Sequence, residues 1–188
     1  MQLFAIDPGN QESAYVLLNF GGTQYADGKL KVDNDSMQIV SFGKFPNDDV
    51  ARRLHEYCFG GSKTDFLAIE RVQAMGMPVG YEVFETCEWI GKYSWLAESY
   101  GVTPNYVYRA EEKITLCGDS KAKDPNIRQA LIDRFAKHDL KNGKGTKKNP
   151  DVFYGFKSDI WAAMAVATTF LEQKSGTGHK AKRRRDNG

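Results

Sequence analysis

Four apolar residues, Leu3-Phe4-Ala5-Ile6, run straight into an acid and a turn, Asp7-Pro8-Gly9. The run has the length of a short buried strand, and Pro-Gly cannot continue one. Asp7 is therefore expected at the end of a rigid strand. Ser13-Ala14-Tyr15-Val16-Leu17-Leu18 reads as a second strand returning beside the first. Asp-Pro-Gly alone is also ordinary turn chemistry. Its weight comes from two further acids in matching places. Asp65-Phe66-Leu67-Ala68-Ile69-Glu70 is another buried strand ending in an acid. Ser158-Asp159 opens an Ala-rich helix that is apolar nearly all round, hence buried. A carboxylate in its first turn is favoured by the helix dipole.

The remaining elements follow from periodicity and turn signals. A polar connection spans 21–35, and an alternating strand spans 38–45. A helix covers 48–58 with Asn47 as its cap, and a strand lies near 105–109. A helix covers 124–137 with Pro125 in its first turn, and the last helix covers 158–171. The helix over 81–100 has surplus apolar surface. Val83, Cys87, Ile90, Ser94 and Ala97 form one stripe, and Trp89, Tyr93, Leu96 and Tyr100 another. A dimer face and a fully buried central helix are both consistent with that pattern. The order β-β-β-α-β-α-β-α-α predicts an α/β fold with a mixed five-stranded sheet. It holds a three-strand antiparallel meander followed by parallel strands with helical crossovers.

At 188 residues the chain suits one domain with a sizeable core. No apolar run approaches the ~18 residues of a membrane span, and the strand pattern begins at once, with no signal or transit peptide expected. Cys58, Cys87 and Cys117 are odd in number and widely spaced, which suits reduced thiols in a cytoplasmic protein. Charge is unevenly spread. Residues 1–140 carry 15 Lys and Arg against 20 Asp and Glu, whereas residues 141–188 carry 11 against 4. The basic excess lies in a loop at 141–150, with Lys144, Lys147 and Lys148, and in a tail with Lys182, Arg183, Arg184 and Arg185. Both have the composition of solvated, mobile chain, and residues 173–188 are expected to form a basic disordered tail behind a domain of residues 1–172. Together the two segments suit a polyanionic partner, most commonly nucleic acid.

Two strand-end acids and a helix-start acid are what a divalent metal site needs. Mg²⁺ takes hard oxygen ligands, typically one or two carboxylates with water and substrate phosphate. Two such ions can activate water and stabilise the leaving oxygen of a phosphodiester. No nucleophile–base pair, phosphate-cradling loop or Cys/His cluster competes. Asp7, Glu70 and Asp159 are thus the candidate metal ligands and catalytic residues.

Ala5-Ile6-Asp7-Pro8-Gly9, Leu67-Ala68-Ile69-Glu70 and Ser158-Asp159 with its Ala-rich helix resemble the three motifs of the RuvC family of Holliday junction resolvases, within the RNase H-like fold. Their spacing and element order match across about residues 3–172. The resemblance implies a homodimer that binds four-way DNA junctions. It also implies cutting of two opposed strands with Mg²⁺ or Mn²⁺, two ions to a site and one site per protomer. It places the dimer contact on the 81–100 helix and makes Lys113, after the strand near 107, a phosphate contact. An aromatic wedge common in the family falls here on Gln73, leaving Met75 and Met77 as apolar wedges beside the junction. A second metal-binding side chain of the last helix falls on Ala162 or Phe156, so a three-carboxylate site with water in the fourth position is expected. Asp151, in a loop, is a poor substitute ligand. The insertion at 21–35 and the basic tail mark a divergent branch, for which a phage origin is an expectation. Two other functions fit the same residues: a metal nuclease with broader branched-DNA or RNA–DNA hybrid specificity, and a DNA-binding scaffold without catalysis.

Overall fold

A computed structural model describes residues 1–59, 64–73, 76 and 78–178. Its sheet is built from β1 (Gln2–Asp7), β2 (Glu12–Gln24), β3 (Leu30–Pro46), β4 (Phe66–Arg71) and β5 (Pro104–Tyr108), in the order β3-β2-β1-β4-β5. β1 pairs antiparallel with β2 and parallel with β4, whose Ile69 lies opposite Ile6. That register brings the acids that follow, Asp7 and Glu70, to neighbouring strand ends. The crossovers are α1 (Asn47–Phe59) and α2 (Tyr81–Ser99); α3 (Arg109–Cys117), α4 (Asp124–Phe135) and α5 (Ile160–Ser175) follow β5.

Period-two alternation divides the core. Leu3, Ala5, Ala14, Val16 and Ala68 face α4 and α5, whereas Phe4, Ile6, Tyr15, Leu17 and Ile69 face α1 and α2. β1 is buried on both faces, as its unbroken apolar sequence requires. Every residue of α5 from Ile160 to Leu171 except Ala162 is buried, and its alanines let it lie on the small residues of β1 and β4. Each large apolar side chain buried there is worth about 1.5–3 kcal/mol, so α5 is held by packing and can afford an acid at its open end.

The structure departs from the sequence reading in four places. The 21–35 segment is mostly strand: β2 and β3 continue as a long hairpin, shifted by bulges near Leu18 and Gly21, and turn at 25–29. Its outer residues face solvent, so they carry no apolar alternation, while Phe20 and Leu30 fasten its base to the core. A fifth helix, α3, follows β5 directly. Glu111 accepts the Tyr108 N–H at its start, and Gly118 ends it in the left-handed conformation at φ 68. Asn47 begins α1 but turns its side chain back toward the β1–β2 turn rather than capping the helix. The last helix starts at Ile160, with Asp159 at the position before it, and runs to Ser175, past the expected domain end at 172. No helix among the described residues is long and apolar enough to cross a membrane.

Candidate active site

Asp7 stands where β1 ends and Pro8-Gly9 turns the chain. A Cβ on Gly9 would meet the Glu12 carbonyl oxygen at 2.4 Å, so the turn admits glycine alone. A buried polar cluster fastens it. Asn47 Nδ2 donates to the carbonyls of Gly9 (3.0 Å) and Asn10 (3.1 Å), and Gly9 N–H donates to Ser13 Oγ at 3.3 Å. Ser13 Oγ donates to Asn47 Oδ1 at 2.6 Å. The Tyr93 hydroxyl reaches the cluster from α2, with Ser13 Oγ at 3.1 Å and Asn47 O and Oδ1 at 3.2 Å. Ser13, Asn47 and Tyr93 are all buried. Such a network is costly to leave half-made, and complete it fixes one geometry.

The Asp7 and Glu70 carboxyls are in hydrogen-bonding contact. Burial, then the charge and hydrogen bond of Glu70 and the charge of Asp159, push the Asp7 carboxyl up to about 8, against the pull of Arg109. Burial also raises Glu70, with Arg109 opposing. Asp159 enters this field from the start of α5 but is half-exposed and bound to Lys44 Nζ of β3 at 2.8 Å; Lys44 also lies 3.5 Å from Glu12. That hydrogen bond raises the Lys44 ammonium above its usual range. Ser158, just before, holds φ 37, the one positive φ among described non-glycine residues.

Arg109, at the start of α3, sits among the acids. Its guanidinium pairs with Glu112 and Asp124 and is felt by Asp7 and Glu70. Glu112 is fully buried; burial and the Glu70 charge push it up to about 9, and its Oε1 has no hydrogen-bond partner among the described residues. Sequence reasoning missed Arg109, Glu112 and Lys44. The only signal was the clustering of charge at Arg109-Ala110-Glu111-Glu112-Lys113, which a solvated helix face would share.

Among the described residues no three acids stand together closely enough to hold a metal ion as they are. The donor chemistry still fits a hard dication. Two neighbouring, half-buried carboxyls that resist ionising together suit a hard dication between them, and Mg²⁺ needs only one or two carboxylates. Asp159 would join on leaving Lys44.

Of the expected DNA contacts, Lys113 is half-buried on α3, Lys144 is half-buried, and Lys147 and Lys148 are exposed. Met75, Met77, Lys182, Arg183, Arg184 and Arg185 lie outside the described residues. The loop carrying Lys144 is far more ordered in its bonding than its composition suggests. Asp151, expected as a loop bystander, is its hub. Its carboxylate accepts the N–H groups of Lys137 (3.0 and 3.1 Å), His138 (2.9 Å), Asp139 (2.7 Å) and Val152 (2.7 Å). Asp139 in turn accepts those of Asn142, Lys144 and Gly145. A Cβ on Gly145, at φ 64, would meet Asn149 O at 2.3 Å, so the hairpin tip is equally fixed.

The α2 helix also differs from expectation. Thr86, Ile90, Tyr93, Ser94 and Ala97 are buried, Trp89 is half-buried and Cys87 is exposed. Tyr93 thus belongs to the core. The outward apolar residues are Tyr81 (74% exposed), Phe84 (58%) and Trp95 (70%).

No protein-family model matches the chain, and no curated protein matches it in sequence. Solved structures do. RuvC of Thermus thermophilus in complex with a Holliday junction superposes with a TM-score of 0.64 at 14% identity, over 95% of this chain and 98% of that one. The fowlpox virus resolvase with its substrate Holliday junction gives 0.53 at 15%, over 92% and 98%. The yeast mitochondrial Holliday junction resolvase Ydc2 gives 0.51 at 10%, over 93% and 81%. The chain therefore has the RuvC-like, RNase H-like fold, in line with the expected mixed sheet flanked by helices. The comparisons carry no information on a phage origin.

Proposed function

We propose that this protein is a divalent-metal-dependent endonuclease that resolves four-way DNA junctions, a crossover junction endodeoxyribonuclease acting inside the cell on branched DNA. The observation that carries the reading is the Asp7–Glu70 contact at adjacent strand ends, with Asp159 beside it, in a fold shared with junction resolvases. Asp7, Glu70 and Asp159 would hold Mg²⁺ or Mn²⁺, two ions by the resemblance. A dication there supplies an acidified water and neutralises charge on the scissile phosphate. The chain's own part is to keep Asp7 and Glu70 in register through the β1–β4 pairing, and to hold the turn beyond Asp7 rigid through Asn47, Ser13 and Tyr93. Lys113, Lys144, Lys147 and Lys148, with the tail cations, would contact phosphates, and Met75 and Met77 would lie at the junction. Residues 1–172 would form the nuclease domain and 173–188 a basic tail.

A homodimer through α2 is part of this proposal, because Tyr81, Phe84 and Trp95 leave an aromatic face open on that helix. Trp95→Glu is expected to give a monomer in sedimentation and to uncouple the paired cuts; a wild-type monomer at micromolar concentration would count against the dimer.

The central test is cleavage, with and without Mg²⁺, of a four-way junction, a flap, an RNA–DNA hybrid and a linear duplex. Cleavage confined to the junction is expected, lost in Asp7→Asn, Glu70→Gln and Asp159→Asn while junction binding persists, because phosphate contacts lie elsewhere. Equal cleavage of hybrid or flap would transfer the assignment to a broader nuclease. Metal-independent binding without cleavage of any substrate would make it a scaffold.

A further inference from the structure

Beyond the acids, α4, the loop at 137–152 and the start of α5 enclose a trough. Two hollows of about 230 and 460 Å³ adjoin and share Asp124, Arg128, Ser158 and Trp161. The smaller opens on Asp159 and Arg109; the larger runs outward to Lys141 and Asn142. We propose that this trough binds a deoxynucleotide of the cut strand next to the scissile bond, with Arg128 as its stacking plane and phosphate donor. The inference rests on the nuclease reading above and adds to it a site for the flanking nucleotide.

Three observations carry it. The first is Arg128 itself. Its guanidinium lies 4.5 Å from the centroid of the Trp161 ring, and Trp161 is buried. The charge thus sits over the ring, an attractive cation–π geometry that anchors the guanidinium at the trough wall. No carboxylate or carbonyl among the described residues accepts a hydrogen bond from the Arg128 guanidinium, so its side-chain donors are unspent. A planar cation anchored on an aromatic ring with its N–H groups free suits a nucleotide: bases stack on guanidinium planes, and phosphates take the fork.

The second is charge. Of the trough's two acids, Asp124 is paired with Arg109 and Asp159 with Lys44, so Arg128 and Lys141 leave the walls net positive. The third is continuity. Ser158 joins the two hollows next to Asp159 and holds the φ of 37 noted above. A left-handed serine is a cost that the start of α5 does not need for its own sake, and strain of this kind collects at binding sites. A strand whose phosphate sits at Asp7 and Glu70 has this trough as its way out.

The test uses the full-length protein and an immobile four-way junction of fixed sequence. Binding is followed without divalent metal from low to moderate salt, and cleavage with Mg²⁺. An abasic site is placed in turn at each of the three nucleotides on either side of the main cut. For the wild type, one abasic position is expected to lower cleavage about tenfold or more. Arg128→Gln should lose that sensitivity and reduce the slope of log affinity against log salt by about one. Arg128→Lys should keep the slope but lose the abasic sensitivity, because an ammonium has charge without a plane. Lys141→Gln, an exposed change, should reduce the slope likewise. If the wild type cuts junctions and Arg128→Gln matches it in both slope and abasic profile, the trough assignment is wrong and the nuclease reading stands. If the wild type cuts nothing yet Arg128→Gln and Lys141→Gln still flatten the salt slope, the trough binds DNA and the nuclease reading fails.

Discussion

Asp7 and Asp151 are both aspartates withdrawn from solvent, Asp7 in part and Asp151 almost fully, and their surroundings act on them in opposite senses. Asp7 faces other carboxylates. Burial and Glu70 push it up to about 8. Asp151 is also penalised by burial, but the N–H groups of Asp139, Lys137, His138 and Val152 outweigh that and hold its carboxyl well below the usual range. Burial therefore says little about an acid until its partners are named. An acid among acids is unstable until something cationic arrives. An acid wrapped in backbone donors is finished, and serves the fold.

The largest effect should come from Asp7→Asn. Cleavage should fall by at least about a thousandfold, roughly 4 kcal/mol of barrier, while junction affinity stays within about threefold. The metal-free variant should also melt higher at pH 8, by about 3 °C or more, since a like-charge contact is gone. A lower melting temperature would break the contrast with Asp151.

Asp151→Asn should act the other way. An amide cannot accept four N–H groups with a carboxylate's charge, and its own NH₂ meets donors. Stability should fall by about 2–4 kcal/mol in urea titration, while turnover at a temperature where the variant is folded stays within about tenfold. Loss of cleavage as complete as in Asp159→Asn, in a folded variant that still binds junctions, would make Asp151 a ligand.

The two acids should also differ in pH dependence. Asp7 is raised above its ordinary 3.8 to about 8, so between about pH 4 and 8 the folded state keeps a proton that the unfolded state has lost. Its contribution to metal-free stability therefore declines through that window and is flat above it. Asp151 is lowered, so its contribution is present above pH 4 and is lost as pH falls further. Urea midpoints measured from pH 3 to 9 should show the upper decline vanish in Asp7→Asn and the acid-side loss weaken in Asp151→Asn.

The smallest expected effect sharpens the Asp7 side alone. Tyr93→Phe removes one hydroxyl from the cluster behind Gly9 and keeps the ring. It should cost about 1 kcal/mol of stability and lower turnover several-fold, with junction affinity unchanged. Unchanged turnover would show that the turn holds Asp7 without it.

The strand ends were legible in the sequence because an unbroken apolar run stopped by an acid has few other readings. The same logic placed Glu70 at the end of β4, and an acid opening an otherwise apolar helix placed Asp159 at the start of α5. Arg109, Glu112 and Lys44 were not legible, because a charged residue on a short helix or an edge strand reads as solvent-facing. Only the packing of α3 against α4 and α5, directly after β5, brings Arg109 and Glu112 to the acids. Tyr93 misled for a related reason. On a helix apolar on two sides, periodicity does not say which stripe the sheet takes, and the buried set centred on Ile90 and Tyr93 cuts across both predicted stripes. The hairpin at 21–35 escaped notice because an edge ribbon needs backbone pairing more than apolar side chains.

The loop wound on Asp151 carries Lys137, Lys141, Lys144, Lys147 and Lys148. In a slack loop such cations would drift apart, and each would adjust to whatever spacing of negative charge it met. Here the main chain at Lys137 and Lys144, and at Asp139, Gly145 and Val152 around them, is already tied to the Asp151 and Asp139 carboxylates at 2.7–3.2 Å, so the path of the loop that carries the stems is set before any partner arrives. A slack loop measures only how much charge a polyanion has. A tied one also measures how far apart those charges lie, and it gives up little chain freedom on contact. The loop is thus less an adhesive than a ruler, and its graduations are set by two aspartates that never leave it.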